Sequence, residues 1–283
     1  MVNDSFHAQL GERRVGIVLS SAFFGFYAHL GFLRALLETG IKPSVYGGSS
    51  AGALVAAMGA TDQVMSLWPV LGQLRRQDIW DPGYPKGRPV GLLRGRKLKR
   101  ILDTHLPAKH FEECETPLVT VCTNVHTGRV SYDRTGPLVD AIRASCAVPF
   151  MFTPIIRDGQ SLIDGGLLDK APIAATVETH PIDVLIIHLI ESPTLRGPMP
   201  NSPLGLLNRL LDLSRKMHWK QQAAWAQERG IEVYVFSSTT QAVGPFSMNR
   251  GLSIMTNTYT RTLRCLTDSN RPWKWKQFNE AVL

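Results

Sequence analysis

RVGIVLSSAFFGFYAHLGFLRALLETGIKPSVYGGSSAGALVAAM, residues 14–58, carries the pattern that decides the fold. Its first part, Arg14 to Ser20, is a short apolar run rich in β-branched residues and predicts a buried strand. A small-residue turn follows, and HLGFLRALLETG then spaces its apolar residues as a helix does and is closed by Gly40. The pattern repeats at once: Pro43 to Tyr46 predicts a short strand, GGSSAG a tight turn, and Ala53 to Met58 the start of a second helix. Two such units in succession predict an α/β protein with a largely parallel sheet, because parallel strands need a helical crossover between them.

Further along, DPGYPKGRPVG reads as a loop and Arg96 to Leu106 as a basic amphipathic helix. LVTVCTNV (118–125) predicts a strand, HTGR a turn, RVSY (129–132) a hairpin return, and LVDAIRASC a helix. LIDGG (162–166) ends an extended run in a glycine turn, and DVLIIHLI (183–190) is the strongest buried-strand signal in the chain. After a proline-rich loop, a long helix is expected from about Leu204 to Arg229, then a strand from Glu232 to Ser237 and a helix near Leu252 to Leu266. With no internal repeat and no low-complexity tract, the expectation is one domain over 1–283, its motifs within 14–170 and its core completed by 204–283.

The 44% hydrophobic and 19% charged residues of these 283 exclude a fibrous or disordered chain. The cysteines at 114, 122, 146 and 265 form no CxxC pair, so reduced core thiols are expected, with neither a zinc site nor a disulfide framework. Asp4 and Glu12 stand where a signal peptide needs an apolar core, which predicts a cytoplasmic chain without a transmembrane helix. With 31 Lys and Arg against 23 Asp and Glu, the net charge is +8 and favours a polyanionic partner. The cations cluster at Arg94, Arg96, Lys97, Lys99 and Arg100, and again at Arg271, Lys274 and Lys276 beside Trp273 and Trp275. Tryptophan with lysine suits a lipid headgroup zone, so peripheral contact with an anionic membrane is expected; a solvated basic face is the plainer alternative. No helix-turn-helix, zinc or RNP signature accompanies the charge, and nucleic acid is not an expected partner.

Gly48-Ser49-Ser50-Ala51-Gly52 is GxSxG between a strand and a helix. A serine nucleophile on such a turn needs small neighbours, because the backbone passes close to itself while the hydroxyl projects. The following helix also aims unpaired N–H groups at developing negative charge. Serine needs a base, and Asp164, before Gly165 and Gly166, is a carboxylate in a similarly special place; alone it would read as the cap of a glycine turn.

Five motifs in order then resemble the patatin-like phospholipase family: H-x-G-x-x-x-A-L (His29, Gly31, Ala35, Leu36), GxSxG (48–52), PLVTVCTNVHTG (117–128), A-S-x-A-V-P-x-x-F-x-P (Ala144 to Pro154) and DGG (164–166). The resemblance implies a three-layer α/β/α fold with a mostly parallel central sheet. It also implies a lipid acyl hydrolase working through a Ser50–Asp164 dyad and an acyl-enzyme, without cofactor or metal, on a lipid or fatty-acyl ester. Backbone amides of Ser21, Ala22 and Phe23 would hold the oxyanion. The family's glycine-rich loop reads Ser21-Ala22-Phe23-Phe24-Gly25-Phe26 here and lacks the family arginine, so Gly25 is expected to take the flexible role. Two other readings stay open: a lipid-binding protein of impaired catalysis, and a Ser-His-Asp esterase with His188 or His218 as base. An enzyme acting on lipid needs an apolar acyl channel, and Phe23, Phe24, Phe26, Phe150, Met151 and Phe152 are the candidates for its walls.

Overall fold

The computed structural model describes residues 6–83, 91–191, 198–201, 203–239, 244, 246–267 and 276–277. The Trp273/Trp275 tail and most of the two proline-rich loops lie outside the described residues. In chain order the elements are α1 (Phe6–Leu10), β1 (Val15–Leu19), α2 (Phe26–Glu38), β2 (Pro43–Ser49), α3 (Ala51–Ala60), α4 (Val64–Gly72), α5 (Arg76–Ile79), β3 (Gly91–Leu93), α6 (Arg96–His105), β4 (Leu118–Asn124), β5 (Arg129–Asp133), α7 (Leu138–Ser145), β6 (Phe150–Phe152), β7 (Ile155–Arg157), β8 (Gln160–Asp164), α8 (Ile173–Thr179), β9 (Val184–Glu191), α9 (Pro203–Glu228), β10 (Glu232–Thr239), α10 (Gly251–Thr267) and β11 (Lys276–Gln277).

The main sheet runs β11-β10-β9-β1-β2-β4-β8-β7. Its centre, β10-β9-β1-β2-β4, is parallel throughout, and antiparallel strands close both sides. Alternation along the strands divides the core in two. Ile17, Leu19, Tyr46, Val184 and Ile186 face a cluster shared with α2, α3, α4 and α10. Val18, Val45, Leu185, Ile187 and Val233 face the opposite cluster, closed by Ile173 of α8 and Ala223 and Ala226 of α9. The result is a mixed α/β architecture with helices on both faces of a mostly parallel sheet.

β1 has β9 on one side and β2 on the other, so the strand order reverses there. In open parallel sheets the crevice at the carboxyl ends of such strands is where ligands bind. The loops after β1 and β2 both open into it. Among the described residues no helix is long and apolar enough to cross a membrane.

α10 packs on α2 at the closest possible distance, because a Cβ at Gly31 would stand 2.3 Å from the Met255 carbonyl oxygen and 3.0 Å from Tyr259 N. Both are backbone atoms that cannot turn aside. Gly31→Ala is therefore expected to push the helices apart, at a cost of about 1–3 kcal/mol typical of overpacking. A fall in Tm of several degrees is the expected result of thermal unfolding; an unchanged Tm would contradict this packing.

Candidate active site

β4 runs on past the end of the neighbour it pairs with, and this builds the site. Ser49, the last residue of β2, lies opposite Val121. From Cys122 onward the same edge of β4 is taken by antiparallel β8, with Cys122 opposite Asp164. The other edge is held by β5, which pairs with Thr120 to Asn124. The end of β8 thus meets the end of β2, and Asp164 arrives beside Ser50. Ser50 Oγ donates to Asp164 Oδ2 at 2.5 Å, both residues being 6% exposed.

Ser50 sits at φ 54°, ψ −120°, a conformation that side chains rarely adopt and that costs on the order of 1–3 kcal/mol. Its backbone N–H donates to Ser145 Oγ at 2.8 Å, and its carbonyl accepts from Cys146 Sγ at 3.2 Å. Glycines flank it because nothing larger fits: a Cβ at Gly52 would lie 2.1 Å from the Leu19 carbonyl oxygen, and one at Gly48 2.5 Å from Ala53 Cα. At the DGG turn a Cβ on Gly165 would strike the Val121 carbonyl, and one on Gly166 would strike Ser21.

Asp164 uses both oxygens: Oδ1 accepts the Gly166 N–H at 2.7 Å and caps the turn, while Oδ2 takes Ser50. The capping role and the pairing role are held at once. Burial pushes its carboxyl up to about 6, opposed by the two hydrogen bonds and by the charge of Arg215. Arg215, from α9, also donates to the Gly166 carbonyl at 2.9 Å and forms an ion pair with Asp212.

The loop after β1 differs from the sequence expectation in two ways. The Ser21 N–H is already committed to the Lys170 carbonyl at 2.7 Å and is not available to an oxyanion. The N–H groups of Ala22 and Phe23 have no acceptor among the described residues. Gly25 does not carry the positive φ, having φ −72°; that falls on Phe24 at 51°. Gly25 is needed for space, since its Cβ would stand 2.4 Å from Ala22 Cβ and 2.7 Å from Ile190 Cδ1.

Beneath this loop lies a buried chain that sequence reading did not find. His29 Nε2 is 2.8 Å from the Ser20 carbonyl, His29 Nδ1 is 2.9 Å from His188 Nδ1, and His188 Nε2 is 2.9 Å from Ser238 Oγ. A carbonyl only accepts, so the direction is forced: His29 Nε2–H donates to Ser20, His188 Nδ1–H donates to His29, and the Ser238 hydroxyl donates to His188. Burial holds both imidazoles in the neutral form this requires, with His29 lowered to about 3 and His188 well below its ordinary value. His188 is a satisfied core histidine. His218 lies elsewhere, 3.2 Å from Gln222 Nε2 and 3.6 Å from Asp169. Neither is hydrogen-bonded to Ser50 or Asp164.

An apolar cavity of about 90 Å³ opens beside Ser50. Five of the six expected wall residues line it: Phe23, Phe24, Phe26, Met151 and Phe152. The sixth, Phe150, does not; it has φ 67° in the turn closed by the Met151 N–H to the Val148 carbonyl, and it is 84% exposed. Leu98, Ile101, Leu102 and His105 of α6 form another wall, so the cavity and the basic face belong to one helix. Of the five cations there, Arg94, Arg96 and Arg100 are exposed. Lys97 donates to the Gln77 carbonyl and Lys99 pairs with Asp103. Among the described residues no group of His, Cys, Asp or Glu side chains is placed to hold a metal ion.

Comparison with known proteins gives this geometry a family. An NTE family protein of Mycobacterium tuberculosis is 30% identical over 200 residues, 70% of this chain and 56% of that protein. The lysophospholipase nte1 of Emericella nidulans is 28% identical over 200 residues, covering 67% of this chain and 13% of that protein. The chain therefore spans just over half the length of the mycobacterial relative and a small part of the fungal one. Among solved structures, VipD from Legionella pneumophila aligns over 90% of this chain and 67% of its own at TM-score 0.45 and 12% identity. The patatin-like phospholipase model matches residues 17–177, from β1 through the elbow and the DGG turn into α8, and the chain belongs to that family.

Proposed function

We propose that this protein is a serine acyl hydrolase of lipid esters, working through Ser50 and Asp164 as a dyad. The observation that carries the reading is the buried 2.5 Å hydrogen bond from Ser50 Oγ to a carboxylate, at the mouth of an apolar cavity. Family membership and the lysophospholipase relatives support a lipid substrate.

In this mechanism Ser50 Oγ attacks the ester carbonyl carbon while Asp164 takes the hydroxyl proton. The oxyanion is met by the unpaired N–H groups of Ala22 and Phe23 and by the Ala51 N–H at the start of α3. Collapse breaks the ester C–O bond, and Asp164 returns its proton to the leaving alcohol. Water then attacks the acyl-Ser50 ester while Asp164 takes its proton; collapse breaks the bond to Ser50 Oγ, Asp164 gives that proton back to Ser50 Oγ, and fatty acid leaves. The acyl chain occupies the cavity between Phe24, Met151 and α6. Arg94, Arg96 and Arg100 on the outer side of that wall bring the cavity against an anionic lipid surface.

A fluorophosphonate probe should label Ser50, and Ser50→Ala should lose both labelling and ester hydrolysis; labelling elsewhere, or none, would leave the chain a lipid-binding member of the family. Asp164→Asn should lose hydrolysis by at least about a thousandfold and gain stability. The sign follows from linkage: with its pKa raised from 3.8 to about 6, folded Asp164 binds more protons than the unfolded chain between those values, so stability falls as pH rises through that window. Thermal unfolding should show Asp164→Asn ahead by about 1–3 kcal/mol at pH 7 and level with the native chain near pH 4. In the native enzyme, kcat/KM should rise through an acid limb near pH 6.

His188→Ala should behave as a core lesion. A cost of about 2–4 kcal/mol is expected from the cavity and the unpaired His29. Its residual kcat should stay far above that of Ser50→Ala, whereas loss to the Ser50→Ala level in a folded variant would move the base to histidine. Replacing Arg94, Arg96 and Arg100 by Gln should weaken binding to anionic vesicles by about 1 kcal/mol per residue at low salt and leave a dissolved short-chain ester unaffected. Equal binding to neutral and anionic vesicles would sink the electrostatic contact.

A further inference from the structure

Phe150 combines two unfavourable features. Its φ of 67° is costly for a residue with a bulky side chain, and its ring is 84% exposed, the most exposed large hydrophobic side chain among the described residues. The positive φ belongs to the third residue of a turn closed by the Met151 N–H donating to the Val148 carbonyl at 3.1 Å, a place that Gly or Asn fills at less cost than Phe. Its immediate neighbours Met151 and Phe152 turn inward to line the cavity. Phe150 pairs with Gly91 in the two-stranded β3–β6 ladder. Along β3 follow Leu92, 39% exposed, and then the exposed Arg94 and Arg96 at the start of α6. Phe23, which lines the same cavity, is 54% exposed. Exposed apolar side chains next to cavity-lining residues, with exposed arginines following along the same segment, are the combination that a bilayer with anionic headgroups receives.

We infer that Phe150 is a hydrocarbon anchor, held out by its strained backbone to enter a lipid bilayer and set the cavity mouth against it, with Leu92 and Phe23 entering alongside. The inference deepens the lipid-surface reading above and rests on it. It assigns the ring a role that the electrostatic contact does not supply, because it acts on uncharged lipid and survives salt.

The test uses vesicles of ether-linked phosphatidylcholine, which carry no net charge and no ester to cleave, at high salt. Asn accepts positive φ readily and brings no apolar ring. Phe150→Asn should weaken partitioning by roughly 10- to 100-fold, the worth of burying one large apolar side chain. Its Tm should equal or exceed that of the native protein, since the strain is relieved. Phe150→Trp should keep the partitioning. Unchanged partitioning of Phe150→Asn would overturn the inference, as would a matching fall in Tm, which would make the ring a part of the fold. No binding of the native protein to these vesicles would also overturn it and point to a protein partner for the patch. Because nothing in the vesicles can be hydrolysed, an inactive Ser50 centre would refute the hydrolase reading and leave this result standing.

Discussion

The edge of β4 is shared by two strands of opposite direction, and the site depends on that handover. β2 runs out at Ser49 and β8 takes the next position at Asp164, so two chain ends that must turn away from the sheet do so at one place. Each turn solves a local problem. The elbow relieves its close backbone approach with Gly48 and Gly52, and the DGG turn is capped by the aspartate itself. The hydrogen bond between Ser50 and Asp164 follows from where the strands stop, which makes it a property of the sheet more than of either side chain.

Strain at the site is held by bonds from several directions. Ser50 at φ 54° is fixed through its N–H by Ser145 and through its carbonyl by Cys146, both at the end of α7. The loop after β1 is fixed through Ser20, whose carbonyl accepts from His29, whose hydroxyl accepts from the Ile190 N–H, and whose own N–H donates to His188 O at 3.1 Å. A loop bolted at its first two residues can present Ala22 and Phe23 without a glycine run. Rigidity of this Phe-rich loop comes from the buried histidine chain and the Lys170 carbonyl, while the positive φ is confined to Phe24.

What the sequence made legible was local. The two strand–turn–helix units, the Ser50 elbow, the Asp164 turn and the long helix after β9 all announce themselves through periodicity or glycine placement within a few residues. The parts that escaped reading are set by distant contacts. Nothing near Ser21 says that its N–H will meet residue 170, and nothing near Phe150 says that its backbone will turn the ring outward. β3 and β6 are three residues each and define themselves only by pairing with one another. α4 is hard to read locally for a different reason: Pro69 stands inside it, and a proline in a helical pattern argues against a helix, whereas here Val64, Leu67 and Leu71 are buried by tertiary packing. Ser145 belongs to a sequence motif, yet its role as acceptor for the Ser50 N–H becomes visible only once α7 is packed behind the elbow.

A dry cavity and an ionised base are in tension, and the arrangement around Asp164 addresses it. Apolar walls suit an acyl chain, but the same burial raises the proton affinity of the carboxylate, and an acyl chain filling the cavity removes still more water. A base too strongly desolvated is simply protonated and idle. The opposing contributions are the Ser50 hydroxyl at the edge of the cavity and, from outside it, the Gly166 N–H of the turn and the charge of Arg215 from α9. Arg215 reaches the turn from α9 and does not line the cavity, so it tempers the carboxylate without wetting the acyl site. The apolar wall of α6 and the balancing charge on α9 thus belong to different elements, and on the proposed reading this lets Asp164 serve as base beside an acyl chain.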